Sequence, residues 1–159
     1  MGTAIRRFSD ALGREMTPND IEAMNWAQAE FAKGVNAVDY SLAQASSVKF
    51  RRAIQSWWSQ GWDLLLTPTL SAPPLLIGSL PNNPEHPMTP LMTGGAWVSF
   101  TSQFNISGQP AISLPLHRDA NGLPIGMQLV AAYGREDVLI RVASQLEQAA
   151  PWAHLRPNL

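Results

Sequence analysis

The chain has 159 residues, 45% of them apolar and 14% charged, with a formal net charge of −1 and no cysteine. This composition supports a packed core at a length typical of one domain, where folding buries roughly 70% of the surface that the unfolded chain exposes. It excludes disulfides, thiolate nucleophiles and thiolate metal sites, and it supplies no basic field to attract nucleic acid.

Met1 to Asp10 carries Arg6 and Arg7 without the apolar stretch of a secretory leader, and nowhere do 18 apolar residues run together. Neither secretion nor a membrane span is indicated, and a cytoplasmic location is the expectation. Thr17-Pro18-Asn19-Asp20 reads as a helix start, because a hydroxyl can cap free amides and proline suits the first helical position. The spacing predicts a helix over 18–33. Gly34 stops it, and Asn36 with Asp39 repeats the cap pattern ahead of a longer helix reaching about Gln60. Its apolar stripe is Tyr40, Ala43, Ser47, Phe50, Ile54 and Trp57, so 18–60 forms a helical pair.

Gly61 closes that pair, and Asp63 to Thr67 is a short apolar run bounded by Pro68, as in a strand buried on both faces. Prolines then recur at 68, 73, 74, 81, 84, 87 and 90. Missing amide donors and fixed φ exclude a long helix or a central strand there, so 61–92 is a strand followed by a proline-rich loop. Leu70, Leu75, Leu76, Ile77 and Leu80 suggest that this loop lies across a surface it partly buries. After Gly94-Gly95, Trp97, Phe100 and Phe104 recur at helical spacing, predicting a helix over 96–106. Alternation predicts a strand over 111–117, and a second strand is predicted over 124–131. The turn signal Asp119-Ala120-Asn121-Gly122 joins them as a hairpin. Asp137 and its neighbours open a last helix with an apolar face of Val138, Leu139, Val142, Ala143 and Leu146, so 93–151 reads helix, hairpin, helix.

A search for chemistry finds little. There is no G-x-S-x-G elbow. Ser46 and Lys49 have S-x-x-K spacing, but the accompanying S-D-N and K-T-G elements of that class are absent. His86, His117 and His154 are scattered, so no metal site is implied, and the glycines form no phosphate-binding pattern. Trp57, Trp58 and Trp62 are assigned to core packing between the second helix and the strand after it. Taken alone, the residues describe an α/β domain without a visible active site.

One long segment alters that picture. Phe100-Thr101-Ser102-Gln103-Phe104-Asn105-Ile106-Ser107-Gly108-Gln109-Pro110-Ala111-Ile112-Ser113-Leu114-Pro115 resembles the F-T-x-x-F-N-x-x-G-x-P-A-x-S-x-P stretch of the amidase signature family. Gly122-Leu123-Pro124-Ile125-Gly126-Met127-Gln128-Leu129-Val130 and Gly134-Arg135-Glu136-Asp137 continue it in order. Upstream, Asp63-Leu64-Leu65-Leu66-Thr67-Pro68-Thr69 is similar to the family's D-x-L-L-T-P-T strand. Phe104-Asn105 and Trp97 look closer to stand-alone bacterial amidases than to the tRNA-dependent amidotransferase subunit.

The resemblance implies the carboxy-terminal part of the amidase-signature fold: a mixed β-sheet covered by helices, taken as a single domain over 1–159. The family hydrolyses carboxylic amide C–N bonds through a Ser, cis-Ser, Lys triad, and none of those residues matches a position here. It therefore implies no catalytic residue, no cofactor, no metal, and a chain inactive alone. Gly94 to Ser102 resembles the helix lining the acyl pocket, so Trp97, Val98 and Thr101 are implied substrate contacts in an intact enzyme acting on a small-molecule amide. An open sheet edge and an apolar face imply a homo-oligomer or pairing with the missing amino-terminal portion. The alternative is a non-catalytic binding or scaffold module derived from an amidase.

Overall fold

The computed structural model describes residues 1–80 and 82–156. They form two compact units, residues 1–45 with 74–80 and 82–97, and residues 46–73 with 98–156.

The first unit is helical. Helix α1 (Gly2–Leu12) was not foreseen in the sequence; it ends at Gly13, whose φ of 66° is the left-handed stop that glycine adopts without strain. It packs on α2 (Ala23–Lys33) through small residues, since a Cβ built on Gly2 would lie 3.6 Å from that of Ala32. The expected helix over 18–33 is divided. Pro18–Asp20 is a single 3-10 turn, Ile21 is extended, and α2 begins only at Ala23. The physical reason lies in Asp20, whose carboxylate accepts the Thr17 amide at 2.7 Å, the Thr17 hydroxyl at 2.9 Å and the Arg14 guanidinium at 2.7 and 2.9 Å. These contacts close the turn on itself. The amide of Ala23 is instead capped from the proline-rich loop, by Asn82 Oδ1 at 3.0 Å.

Helix α3 (Ala37–Trp58) has the expected cap: Asn36 Oδ1 accepts the amides of Val38 and Asp39, both at 2.9 Å. Its stripe is less buried than anticipated. No residue of this 22-residue helix is fully buried: Ser47, Ile54 and Trp57 of the stripe are half-buried, while Tyr40 and Phe50 stand 59% and 39% exposed. The proline-rich stretch contains neither helix nor strand from 69 to 88 among the described residues. Its Leu76 and Ile77 point into solvent, whereas Leu75 is half-buried and Leu70 and Leu80 are 39% and 40% exposed, so the loop is partly buried at some of its leucines and not at others. Helix α4 (Thr89–Trp97) starts earlier than predicted: Pro90 is tolerated in its first turn, and Gly94-Gly95 lie inside it rather than ahead of it.

In the second unit, β1 (Leu65–Pro68), β2 (Ala111–Arg118) and β3 (Pro124–Val130) form a sheet of order β1-β3-β2. Both pairings are antiparallel, with Thr67 and Ser113 each opposite Gln128. The α/β architecture is as expected, while the parallel component of a mixed sheet is not made by these three strands. Strand β1 is an edge strand with alternating burial and an exposed Leu66, not the doubly buried strand that its apolar run suggests. The hairpin turn is built by Asp119, whose Oδ1 accepts the amides of Asn121 at 2.9 Å and Leu123 at 2.8 Å; Gly122 supplies the positive φ of 81°.

Helix α6 (Glu136–Ala149) covers one sheet face. Leu114, Leu129, Ala131 and Leu139 are its buried centre, flanked by Leu64, Ile112, Leu116, Val142, Ala143, Leu146 and Trp152. Burying a leucine fully is worth about 1.5–3 kcal/mol, so this face carries much of the unit's stability. The predicted helix over 96–106 is replaced by α5 (Ser102–Ser107) and a turn at 98–101 before it. Trp57 stacks on Trp62 with centroids 5.6 Å apart and meets Trp58 edge-on at 4.8 Å, which ties the end of α3 to the segment leading into β1.

Candidate functional site

The face of the sheet opposite α6 carries the polar residues. Side chains alternate along a strand, so Gly126, Gln128 and Val130 of β3 share this face with Leu65 and Thr67 of β1 and with Ala111 and Ser113 of β2. Thr69, just past β1, continues the ladder by donating its amide to Gly126 O at 2.9 Å. Thr69 Oγ1 and Ser113 Oγ are then hydrogen-bonded at 2.6 Å across β3. That contact requires glycine at 126: a Cβ there would sit 2.7 Å from Ser113 Oγ, 2.8 Å from Thr69 Oγ1 and 3.1 Å from Thr69 Cβ.

Gln128 is 5% exposed, which makes the pairing of its carboxamide energetically obligatory. Nε2 donates to Thr67 Oγ1 at 2.9 Å and to the Phe100 carbonyl at 2.8 Å. Thr67 Oγ1 in turn donates to Pro68 O at 3.0 Å. The Phe100 carbonyl also accepts Gln103 Nε2 at 3.1 Å. The middle strand is thereby bonded directly to the backbone ahead of α5.

This is the segment that holds the anticipated contact residues. Val98 and Thr101 are brought together by a turn: the Thr101 amide donates to Val98 O at 3.2 Å and its hydroxyl to the same oxygen at 3.1 Å. Val98 is 45% exposed and Thr101 half-buried, so both offer surface. Trp97 is the half-buried last residue of α4 and belongs to the first unit, whereas Val98 begins the second unit's return segment. Beyond α5, Gly108 takes φ 74° with the Tyr133 ring 3.6 Å from where a Cβ would be. Gln109 Oε1 accepts Ser107 Oγ at 3.1 Å, and the buried Gln109 Nε2 has no partner among the described residues. Asn105 is exposed.

Ser46 and Lys49 are both exposed on α3. Among the described residues no group of three or more His, Asp or Glu gathers at metal-binding distance. No helix there is long and apolar enough to cross a membrane. The first unit has an open cleft of about 1400 Å³ between α1, α2 and the start of α3. Its cations are already committed: Arg6 to Asp10 at 3.3 Å, Arg14 to Asp20 at 2.7 Å and Lys33 to Glu30 at 2.7 Å. The Arg14 hydrogen bond, then the Thr17 amide and hydroxyl, hold the Asp20 carboxyl well below the usual carboxylate range. Hydrogen bonding from Arg135 likewise lowers that of Asp137 at the start of α6.

A family model described as Amidase matches residues 5–140. The chain belongs to the amidase family. It is 40% identical over 160 residues to a 6-aminohexanoate-cyclic-dimer hydrolase of Pseudomonas sp. (strain NK87), and 44% identical over 157 residues to the putative amidase AmiC of Mycobacterium tuberculosis (strain ATCC 25618 / H37Rv). Each alignment takes in 98% of this chain and 32% of the relative. Among solved structures, that of 6-aminohexanoate cyclic dimer hydrolase complexed with substrate superposes with a TM-score of 0.91 at 37% identity, covering 99% of this chain and 34% of that one. The chain thus spans about a third of the length of the relatives it matches, and it corresponds to the carboxy-terminal part of the amidase fold.

Gln128, Gly126 and the Thr69–Ser113 pair escaped the sequence reading. A signal existed: Gly126 and Gln128 sit two apart among Met127, Leu129 and Val130, so both belong to one face of a strand otherwise apolar. What the sequence could not supply was the pairing of side chains far apart in the chain, Thr69 with Ser113 across 44 residues and Gln128 with Thr67 across 61.

Proposed function

We propose that this chain is the pocket-forming part of an amidase that hydrolyses carboxylic amide C–N bonds. The observation that carries the reading is the superposition over 99% of the chain on a cyclic amide hydrolase at a TM-score of 0.91. The family's Ser, cis-Ser, Lys triad belongs to portions of the fold outside these residues. The present chain furnishes a wall: Trp97, Val98 and Thr101 meet the acyl part of a small-molecule amide. The side chains of Val98 and Thr101 suit that role, one apolar and one hydroxylic, on a turn fastened to the sheet.

Alone, the chain lacks the activated nucleophile and oxyanion donors that provide most of the barrier reduction in acyl transfer. Exposed Leu66, Ile106 and Tyr133, together with the two edge strands, favour association with the complementary amidase portion over a self-contained unit. A homo-oligomer is the other form that would cover this surface, and a cytoplasmic setting suits such an enzyme. The test is to assay amide turnover, with 6-aminohexanoate cyclic dimer among the substrates. The chain is tested by itself and then co-expressed with the amino-terminal two thirds of a cyclic-dimer hydrolase. Turnover is expected only in the mixture. Turnover by the isolated chain, with fluorophosphonate acylation of one of its own serines, would refute the assignment.

A further inference from the structure

We infer that Gln128 is a positioning residue that sets the shape of the substrate-contacting turn. The inference rests on the reading of Val98 and Thr101 as substrate contacts, and deepens it. Gln128 lies on the central strand, held on both sides by β1 and β2, so its backbone is among the least mobile in the second unit. Its carboxamide uses both Nε2 hydrogens, one on Thr67 Oγ1 and the other on the Phe100 carbonyl. Phe100 stands inside the turn, between Val98 and Thr101, and those two are joined by a pair of hydrogen bonds of their own. A displacement of the Phe100 carbonyl therefore moves both contact residues together. The two bonds of Gln128 differ in consequence. The one to Thr67 stays within the sheet, and the one to Phe100 reaches the turn.

This difference provides the test. In the active assembly, Gln128→Met keeps side-chain length and burial but removes the donor to both Phe100 and Thr67, while Thr67→Val removes the bond within the sheet, together with that of Thr67 Oγ1 to Pro68 O, and leaves the donor to Phe100 in place. Gln128→Met is expected to raise KM roughly 5- to 10-fold, the size of one neutral hydrogen bond, with kcat changed less. Thr67→Val should leave KM near the parent value although it also disturbs a buried polar pair. Equal effects from the two variants would reduce Gln128 to a structural role and overturn the inference. So would an unchanged KM in Gln128→Met where Thr101→Val raises it, which leaves the contact reading intact. Failure of both Val98→Ala and Thr101→Val to alter KM would instead remove the contact reading itself.

Gln128→Asn, too short to reach Phe100, serves if the methionine variant does not fold. A readout free of turnover is amide hydrogen exchange at Thr101 in the 159-residue chain. Exchange should quicken several-fold in Gln128→Asn and not in Thr67→Val. Unchanged exchange in both would overturn the inference even without an active assembly.

Discussion

Replacing Gly126 with alanine separates close packing from backbone freedom. Away from steric conflict, glycine to alanine in a strand stabilises by about 0.4–1 kcal/mol, because the unfolded chain loses conformations. Here the new methyl would meet Ser113 Oγ at 2.7 Å, Thr69 Oγ1 at 2.8 Å and Thr69 Cβ at 3.1 Å, all inside van der Waals contact. The hydroxyl pair must part, forfeiting a 2.6 Å hydrogen bond worth about 0.5–1.5 kcal/mol net, and overpacking costs about 1–3 kcal/mol more. Against the entropic gain, Gly126→Ala should destabilise by about 0.5–4 kcal/mol. At this chain length that lowers the thermal midpoint by roughly 1–16 °C, at about 2–4 °C per kcal/mol. Denaturation followed by circular dichroism at fixed protein concentration reads it. In a Thr69→Ala, Ser113→Ala background the two hydroxyls are gone, and the same substitution should cost far less, because the two closest contacts are removed. A Gly126→Ala variant as stable as the parent, or an undiminished cost in the double-alanine background, would refute the steric argument.

Asp20 gives a pH dependence with a definite sign. Its folded pKa lies below the ordinary 3.8, so the stabilisation from Arg14 and Thr17 is present above that value and is lost as pH falls beneath it toward the folded pKa. The 14–20 turn should loosen below about pH 4, and Asp20→Asn should abolish that step. A carboxyl carbon titration placing Asp20 at its ordinary value would contradict this. Asn36→Ala removes the acceptor for two amides at the start of α3 and should cost about 1 kcal/mol, with Asn36→Asp nearly neutral. Hydrogen exchange at Val38 and Asp39 should quicken in the alanine variant alone.

Where local chemistry is strong, the sequence is a sufficient guide. Asn36 caps α3 as its spacing implied, Asp119 and Gly122 make the hairpin turn, and the apolar face of α6 finds the sheet. Each of these depends on groups a few residues apart, or on a periodicity that survives any tertiary context. The long motif around Phe104 and Gln109 likewise sufficed to place the chain among amidases.

Tertiary structure decided the rest. The helix expected over 18–33 is divided by Asp20 through the nearby Thr17 and Arg14, and the turn interrupting the helix expected over 96–106 is held within itself by Thr101 on Val98 O and from 28 residues away by Gln128 on the Phe100 carbonyl. Leu66 reads as a buried strand residue, yet it is exposed on an edge strand, because burial depends on what a strand is laid against and not on its own apolarity. The glycine at 126 looks like any other until Thr69 and Ser113 converge over it. Their convergence is set by antiparallel register between segments far apart in the chain, which no local pattern encodes.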